Sequence, residues 1–340
     1  MGESMFDPVT EQMLGLIRGY WVSQIVGTLA ELKIPDRLAN GALRYDELAK
    51  EIGCDSQATY RLLRASASVG VISAKSDGRF GLTPLGEKLR SNVPGSMRDI
   101  AVAVTAPGHW LSWGRLAEAV RSGKRQTPAT LGRELFQYYA ENPHEGSAFT
   151  GAMSNLSTMI AGDLARVLDT STAEHVVDIG GASGAIIAAL LESNPGLRGT
   201  ILELADVVPR ARTALAERGF SSRCQVVEGD FFKAVPRADI HILKWIIHDW
   251  DDVQSVRILS NCARALERNG RVILIERVLP EDERPSYAAL ADLNMLVLLP
   301  GRERTAKQYG KLFEAAGLRL DRVTETASAI QIIEASAVPS

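Results

Sequence analysis

From His175 onward short apolar strands alternate with helical stretches, and this alternation limits the possible folds more than any other feature of the chain. Strand-like runs fall at Val176–Ile179, Thr200–Leu204, Gln225–Val227, Asp239–Leu243 and Val272–Ile275. Ala185–Ser193, Val207–Arg218 and Gln254–Glu267 read as the helices that separate most of them. The pattern predicts an α/β domain, a parallel sheet with helices on both faces. Leu318–Val323 and Ala329–Glu334 read as two further strands. They bring the sheet to about seven strands, the last of them antiparallel.

Ahead of this region the texture is helical. Leu14, Ile17, Trp21, Ile25, Leu29 and Leu32 recur at three- and four-residue intervals, which predicts one amphipathic helix over Met13–Ile34. Tyr45–Ile52 and Ser56–Val69 follow as helices, and then a hairpin that turns at Asp77-Gly78. Short helices, a longer helix and a hairpin make a winged-helix pattern. Two proline-containing segments, Asn92–Gly95 and Thr105–His109, mark a boundary. A helical stretch then runs from Trp110 to about Leu168, with a loop around Ser122–Thr130. We expect three parts: residues 1–105, a helical connector over 106–170, and the α/β domain over 171–340.

Several function classes are excluded by composition. At 340 residues the chain is long enough for two cores. Its 38 Lys+Arg against 41 Asp+Glu leave a net charge of −3, which attracts neither nucleic acid nor an anionic membrane. Cys54, Cys224 and Cys262 are scattered, without metal or disulfide spacing, as in a reducing cytoplasm. The N-terminus lacks a signal-peptide pattern, and Phe6 stands where a myristoylation signal needs Ser or Thr. The longest apolar run, near Leu293–Leu299, is too short to span a bilayer. A soluble, cytoplasmic protein is expected.

After the strand VVDIG comes Gly180-Gly181-Ala182-Ser183-Gly184, opening the helix AIIAALLE. Glycines at a strand-to-helix turn let the backbone bend sharply and approach a ligand. Asp178 beside this turn disfavours a pyrophosphate and suits a cationic ligand. Glu203 ends the next strand, about 20 residues on, where an acid can accept both ribose hydroxyls. Asp230 follows the third strand in the pattern GDFF, and Phe231 can stack on an adenine. A cationic adenosine ligand, S-adenosylmethionine, fits the ordered set. Downstream, LKWIIHDWDD places His248 between an apolar strand and acids, where an imidazole can serve as a general base. Asp249 can orient a substrate or contact backbone. Asp249, Asp251 and Asp252 can equally be helix-start charges.

In this order, VVDIGGASG, GTILELADVV, GDFF, LKWIIHDWDD and GRVILIERVLP resemble the plant-type small-molecule O-methyltransferases, the family of caffeic acid O-methyltransferase, and especially its bacterial natural-product branch. The resemblance extends over nearly the whole chain. It implies a Rossmann-like class I methyltransferase domain preceded by a mainly helical winged-helix domain that pairs two chains into a homodimer. It implies S-adenosylmethionine bound by Gly180, Glu203, Asp230, Phe231 and Lys244, with Ser157 and Trp250 as further contacts. Relatives have Asp where Glu203 stands, a change that affects geometry more than the choice of cofactor.

The same resemblance makes Glu276 and Glu303 the supports that flank His248, and it requires no metal. The acceptor pocket of similar enzymes draws on the segments that carry Trp110, Tyr139, Phe149, Met153, Asp292 and Met295, with Trp113, Leu116, Phe136 and Leu156 nearby. Leu299 and Leu156 replace an Asn and a His of plant relatives, so the pocket is less polar and the plant substrate does not carry over. A small aromatic acceptor methylated on a phenolic hydroxyl is the expected substrate. N-methylation of a phenazine-like ring, or a family member that decarboxylates or hydroxylates, are the alternatives. A DNA-binding winged helix is disfavoured, because residues 1–100 hold 12 basic and 12 acidic side chains and so no net positive charge.

Overall fold

The computed structural model describes residues 6–282, 284–328 and 330–338. The chain divides into two compact units. One runs up to Trp110 and adds Tyr139–Asn155; the other joins Leu111–Tyr138 to the chain from Leu156 onward. The start of the expected last strand, Ala329, and the N-terminal Met-Gly lie outside the described residues.

In the first unit the stretch expected as one helix over Met13–Ile34 is two. α1 (Pro8–Ile17) starts earlier, because the Asp7 carboxylate accepts from the N–H groups of Val9 and Thr10. The helix breaks at Arg18, next to Gly19, and α2 (Gly19–Glu31) follows. Glycines at 15 and 19 weaken the helix where the apolar periodicity alone gives no warning. α3 (Tyr45–Ile52) and α4 (Ser56–Ser68) stand where the sequence places them, α4 capped by Asp55. The hairpin β1 (Ile72–Ala74) and β2 (Arg79–Leu82) is antiparallel, and Leu43–Arg44 adds a short third strand beside β2. Leu29, Ile34, Leu48, Leu63, Ile72 and Phe80 form the core. Between the two proline-containing segments lies a helix, α5 (Arg98–Thr105), and the expected loop after Ser122 contains the short helix Thr127–Leu131.

A 25-residue helix, α6 (Pro143–Val167), divides between the units after Asn155. The second unit is then built on a seven-stranded sheet. Its strands are β3 (His175–Ile179), β4 (Arg198–Glu203), β5 (Cys224–Glu228), β6 (Ala238–Lys244), β7 (Leu266–Glu276), β8 (Leu318–Glu325) and β9 (Gln331–Ala337). The spatial order is β8-β9-β7-β6-β3-β4-β5. β3 to β7 are mutually parallel, and β9 runs antiparallel to both of its neighbours. Val176, Val177 and Ile179 of β3 and Val272–Ile275 of β7 are fully buried, as strands covered on both faces must be. The helices of this unit are α7 (Ala185–Ser193), α8 (Val208–Glu217), α9 (Asp252–Ala265), α10 (Tyr287–Leu298) and α11 (Ala306–Ala315).

Because the strands are parallel, β3, β4, β6 and β7 end on one edge of the sheet. They deliver Asp178, Glu203, Lys244 and Glu276 there. Ligands of open α/β sheets bind at that edge. Among the described residues no helix is long and apolar enough to cross a membrane.

One core residue of β6 ties the fold to pH. His241 is fully buried; its Nε2 donates to the Pro236 carbonyl at 2.8 Å and its Nδ1 has no partner. Burial is the main cause that lowers its pKa to about 4. The unfolded chain, with an ordinary histidine near 6.5, then binds the extra proton first. Stability is therefore lost as pH falls from about 6.5 to about 4, by up to about 1.4 kcal/mol per pH unit from this residue. Melting temperatures over that window should fall more steeply in the native chain than in His241→Asn. Parallel curves for the two proteins would refute the assignment.

Candidate active site

The glycine turn is held in a strained shape from two sides. Gly180 (φ 68°), Ala182 (φ 50°) and Gly184 (φ 70°) all adopt left-handed backbone, which costs a non-glycine residue free energy. A Cβ on Gly180 would fall 2.6 Å from Cδ1 of Ile246. The Glu203 carboxylate accepts from the Ala182 N–H through Oε1 at 2.7 Å and from the Leu204 N–H through Oε2 at 3.0 Å. Glu203, expected only as a ribose ligand, thus also braces the turn. Burial raises its pKa, and the two N–H groups oppose the rise.

Asp178 is buried beneath the turn, and its Oδ2 has no hydrogen-bond partner. Burial pushes its pKa up to about 7, with the Lys244 ammonium opposing. Lys244, at the end of β6, donates from Nζ to Ser157 Oγ of α6 at 2.8 Å. Burial lowers its pKa to about 8, against the pull of Asp178. Beyond β5, Asp230 Oδ1 accepts from the Phe232 N–H at 2.9 Å, and Lys233 stands 3.7 Å from its other oxygen. The Phe231 ring lies 4.9 Å from that of Phe232 and 6.2 Å, edge-on, from that of Trp250.

His248 sits on a single 3-10 turn, Ile247–Asp249, immediately after β6. Its Nδ1 is 3.0 Å from Glu303 Oε1 and 3.7 Å from Glu276 Oε2. Its Nε2 is 3.3 Å from Asp249 Oδ1. Glu276 Oε1 also accepts the N–H groups of Ile247 (3.0 Å) and His248 (3.4 Å), so one carboxylate holds both the ring and the backbone of the turn. Glu303 is placed in turn by its own N–H, which donates to Asp292 Oδ1 at 2.9 Å. The sequence reading had Asp292 among the acceptor contacts; here it positions Glu303.

Burial alone would lower the His248 pKa. The charges of Glu276, Asp249 and Glu303 outweigh it and push the imidazole up to about 9. Burial raises Asp249 to about 6 and Glu276 to about 7, in each case against the attraction of His248. The shifts of His248, Asp249 and Glu276 are thus tied to one another by charge. An Nδ1–H held by Glu303 leaves Nε2 as the nitrogen that gains or loses the proton. One ligand-type atom from each of His248, Glu276 and Glu303 lies within 4.8 Å of the others, so this trio could also hold a metal ion.

Met295, on α10, is buried in the second unit. Trp110, Tyr139, Phe149 and Met153 belong to the first unit. There the Tyr139 and Phe149 rings stack with centroids 4.9 Å apart, and the Tyr139 hydroxyl is 2.8 Å from His109 Nδ1. Asp251, expected as a helix-start charge, caps α9 through the Gln254 N–H. Asp252 does more than start that helix: it forms an ion pair with Arg304, a fully buried cation behind the His248 turn. Of the two arginines in GRERT, Arg302 and Arg304, nothing in the sequence marks Arg304 as the buried one. Trp245 was also missed. Its φ of 52° is unusual for a bulky residue, and its ring lies 4.1 Å from Lys244 Nζ and 4.4 Å from Arg277 Cζ.

Two family models match the chain: an O-methyltransferase domain over residues 113–319 and an O-methyltransferase dimerisation domain over residues 14–92. Phenazine O-methyltransferase PhzM of Lysobacter antibioticus is 38% identical over 329 residues, which cover 96% of each chain. The crystal structure of LaPhzM superposes with a TM-score of 0.94 at 37% identity, covering 98% of this chain and 100% of that one. NcsB1, an O-methyltransferase from neocarzinostatin biosynthesis solved with S-adenosyl-L-homocysteine and 1,4-dihydroxy-2-naphthoic acid, superposes with a TM-score of 0.81. It is 31% identical, with 93% of this chain and 96% of that one covered.

The electrostatics of the cluster can be measured without an assay. The imidazole of His248 should titrate near 9 by NMR, and in Glu303→Gln the value should fall by a unit or more toward 6.5, because a facing carboxylate is removed. A native value at or below 6.5 would contradict the charge arrangement.

Proposed function

Since the chain belongs to the S-adenosylmethionine-dependent O-methyltransferase family, with that family's catalytic and dimerisation domains, we propose that it methylates a phenolic hydroxyl of an aromatic natural product, with His248 as general base. One observation carries this reading: a buried imidazole whose Nδ1 is fixed by Glu303 and backed by Glu276, which leaves Nε2 to take a proton. A relative named as a phenazine O-methyltransferase and another solved with 1,4-dihydroxy-2-naphthoic acid support an aromatic acceptor.

The residues at the strand ends fit the methyl donor. Glycine at 180 lets the turn take its left-handed shape without a Cβ striking Ile246, and the unpartnered Asp178 Oδ2 suits a cation nearby. Glu203 keeps a free lone pair on each oxygen for ribose hydroxyls, Phe231 and Trp250 offer aromatic surface to the adenine, and Asp230 a further acceptor. Lys244 and Ser157 meet the polar end of the amino acid. S-adenosylmethionine supplies a methyl group on a positively charged sulfur, an electrophile that needs no further activation.

The protein's remaining work is to orient the acceptor and accept one proton. A phenol loses its proton unaided only near pH 10, and an imidazole at about 9 is close enough in basicity to take it as the new bond forms. Glu303 and Glu276 stabilise the imidazolium that results. Asp249 holds Nε2 at rest and yields that position to the acceptor hydroxyl. Met295 packs beside the acceptor from α10. A ring-nitrogen acceptor would need no proton removed, and the three acids around His248 would then have no task. The metal-free reading follows from the same chemistry, since the sulfonium needs no Lewis acid. We place the enzyme in the cytoplasm.

Two variants separate the roles. His248→Asn should lower kcat by about 100-fold or more while S-adenosylmethionine affinity stays within about threefold. Glu203→Ala should weaken that affinity at least about tenfold by calorimetry. Near-native turnover by the first protein would rule out the base, and unchanged binding by the second would rule out the ribose contact.

The homodimer is proposed from α1 and α2. Val9 (74% exposed), Leu16 (71%), Ile17 (61%) and Trp21 (51%) present apolar surface that a second chain would cover. The native protein should have the mass of two chains by light scattering, and a variant with Ile17→Asp and Trp21→Asp the mass of one. A native monomer would overturn this part of the reading.

A further inference from the structure

The segment that delivers Glu303 also grips the backbone of the His248 turn. On one side Gly301 is in direct contact with it: a Cβ there would lie 2.0 Å from the His248 carbonyl oxygen and 2.5 Å from the Trp250 nitrogen. On the other side stands Arg304, fully buried. Its Nη1 donates to the Ile247 carbonyl at 3.1 Å, and its Nη2 donates to the Trp250 carbonyl at 2.8 Å. These two carbonyls bracket His248. The same guanidinium binds Asp252 Oδ1 through Nε (3.1 Å) and Nη2 (2.8 Å), and Asp252 also pairs with Arg302.

We propose that Arg304 is a positioning residue for the general base: it fixes the turn that aims His248 and supplies a counter-charge to the acids around it. The inference rests on the reading of His248 as the base. A turn of three residues has no helical ladder to hold it, and its carbonyls need donors from elsewhere. A planar guanidinium reaches both carbonyls and the carboxylate at once. A lysine ammonium at the end of a flexible stem cannot reproduce that fork.

The charge around the turn comes from several elements. Facing His248 are Glu276 from β7, Glu303 from the loop before α11 and Asp249 from the turn itself, and Lys244 of β6 acts in turn on Glu276 and Asp249. Facing Arg304 are Asp252 of α9, Asp292 of α10, Arg302 of its own segment and the buried Tyr309 of α11. Arg304 thus stands within one network of acids and cations with the imidazole. Its removal makes the surroundings of His248 more negative and favours the imidazolium. Removal of Asp252 does the opposite.

The test measures kcat, both KM values and the pH dependence of kcat for Arg304→Gln, Arg304→Lys and Asp252→Asn, with the folded fraction taken from thermal melts. Arg304→Gln should lower kcat about 100-fold with donor KM within about threefold, and its inflection should move to higher pH. Arg304→Lys should keep the native inflection but remain about tenfold slow, since charge returns without the fork. Asp252→Asn, whose side chain is 51% exposed and so tolerates the change, should lose about threefold in kcat with its inflection moved to lower pH. If Arg304→Gln does not fold, the Asp252→Asn shift decides the matter. Folded variants with native kcat would overturn the proposal, as would losses that merely track the folded fraction with no movement of the inflections. His248→Asn in the same assay separates the two readings. An active His248→Asn removes the base itself, whereas an inactive one beside native-like Arg304 variants removes only this inference.

Discussion

A buried imidazole faced by three carboxylates is the arrangement on which the second unit turns. Placed in the interior, any one of these groups would be driven to its neutral form. Together they are tolerable, because each supplies what another lacks. The sheet is what brings them together. β6 ends in the turn that carries His248, β7 ends in Glu276, and the chain returns through α10 to set Glu303 against Nδ1. Glu276 has a double duty, since its other oxygen accepts the backbone N–H groups of the turn. A change in that carboxylate therefore moves both the basicity and the aim of the imidazole.

At the neighbouring strand end, after β3, a different logic holds. Around the glycine turn the acids are not paired with bases. Asp178 keeps an unpartnered oxygen in a buried place, and Glu203 spends its hydrogen bonds on the backbone of the turn. Lys244 links the two, its pKa lowered by burial against the attraction of both Asp178 and Glu276. A site with surplus buried acid is incomplete without a cation, and a sulfonium nucleoside is such a ligand. Parallel strands make this division possible, because all of their carboxyl ends open on one side.

Much of this was readable from the chain itself, and what was missed has physical reasons. The strands and the helix over Ala185–Ser193 follow from apolar runs and turn residues, which act locally. Glu276 and Glu303 came from resemblance rather than periodicity, because the hydrogen bond from His248 to Glu303 joins residues far apart in sequence. Asp292 also takes the Glu303 N–H through its carboxylate, a backbone contact that no side-chain pattern announces. The break at Arg18 was hidden by an apolar stripe that runs on unbroken through it. Arg304 was invisible for a sharper reason. Arginine is ordinarily a surface residue, and the partners that hold this one inside, the Ile247 and Trp250 carbonyls and Asp252, lie some fifty residues away in sequence.

The two ends of the site also constrain each other through charge. At rest the carboxylates hold His248 as imidazolium, with its pKa at about 9, and a protonated base cannot accept a proton. A cation bound at the glycine turn opposes that protonation through the interior, where screening by water is weak. On the proposed function, the methyl donor thus does more than provide the group to be transferred. Its charge works against protonation of the imidazole and toward ionisation of Asp178. Acids that would be a liability in an empty pocket become the partners of a cation in a filled one. The turn that carries the imidazole is gripped by a planar guanidinium, whose fork reaches two of its carbonyls at once.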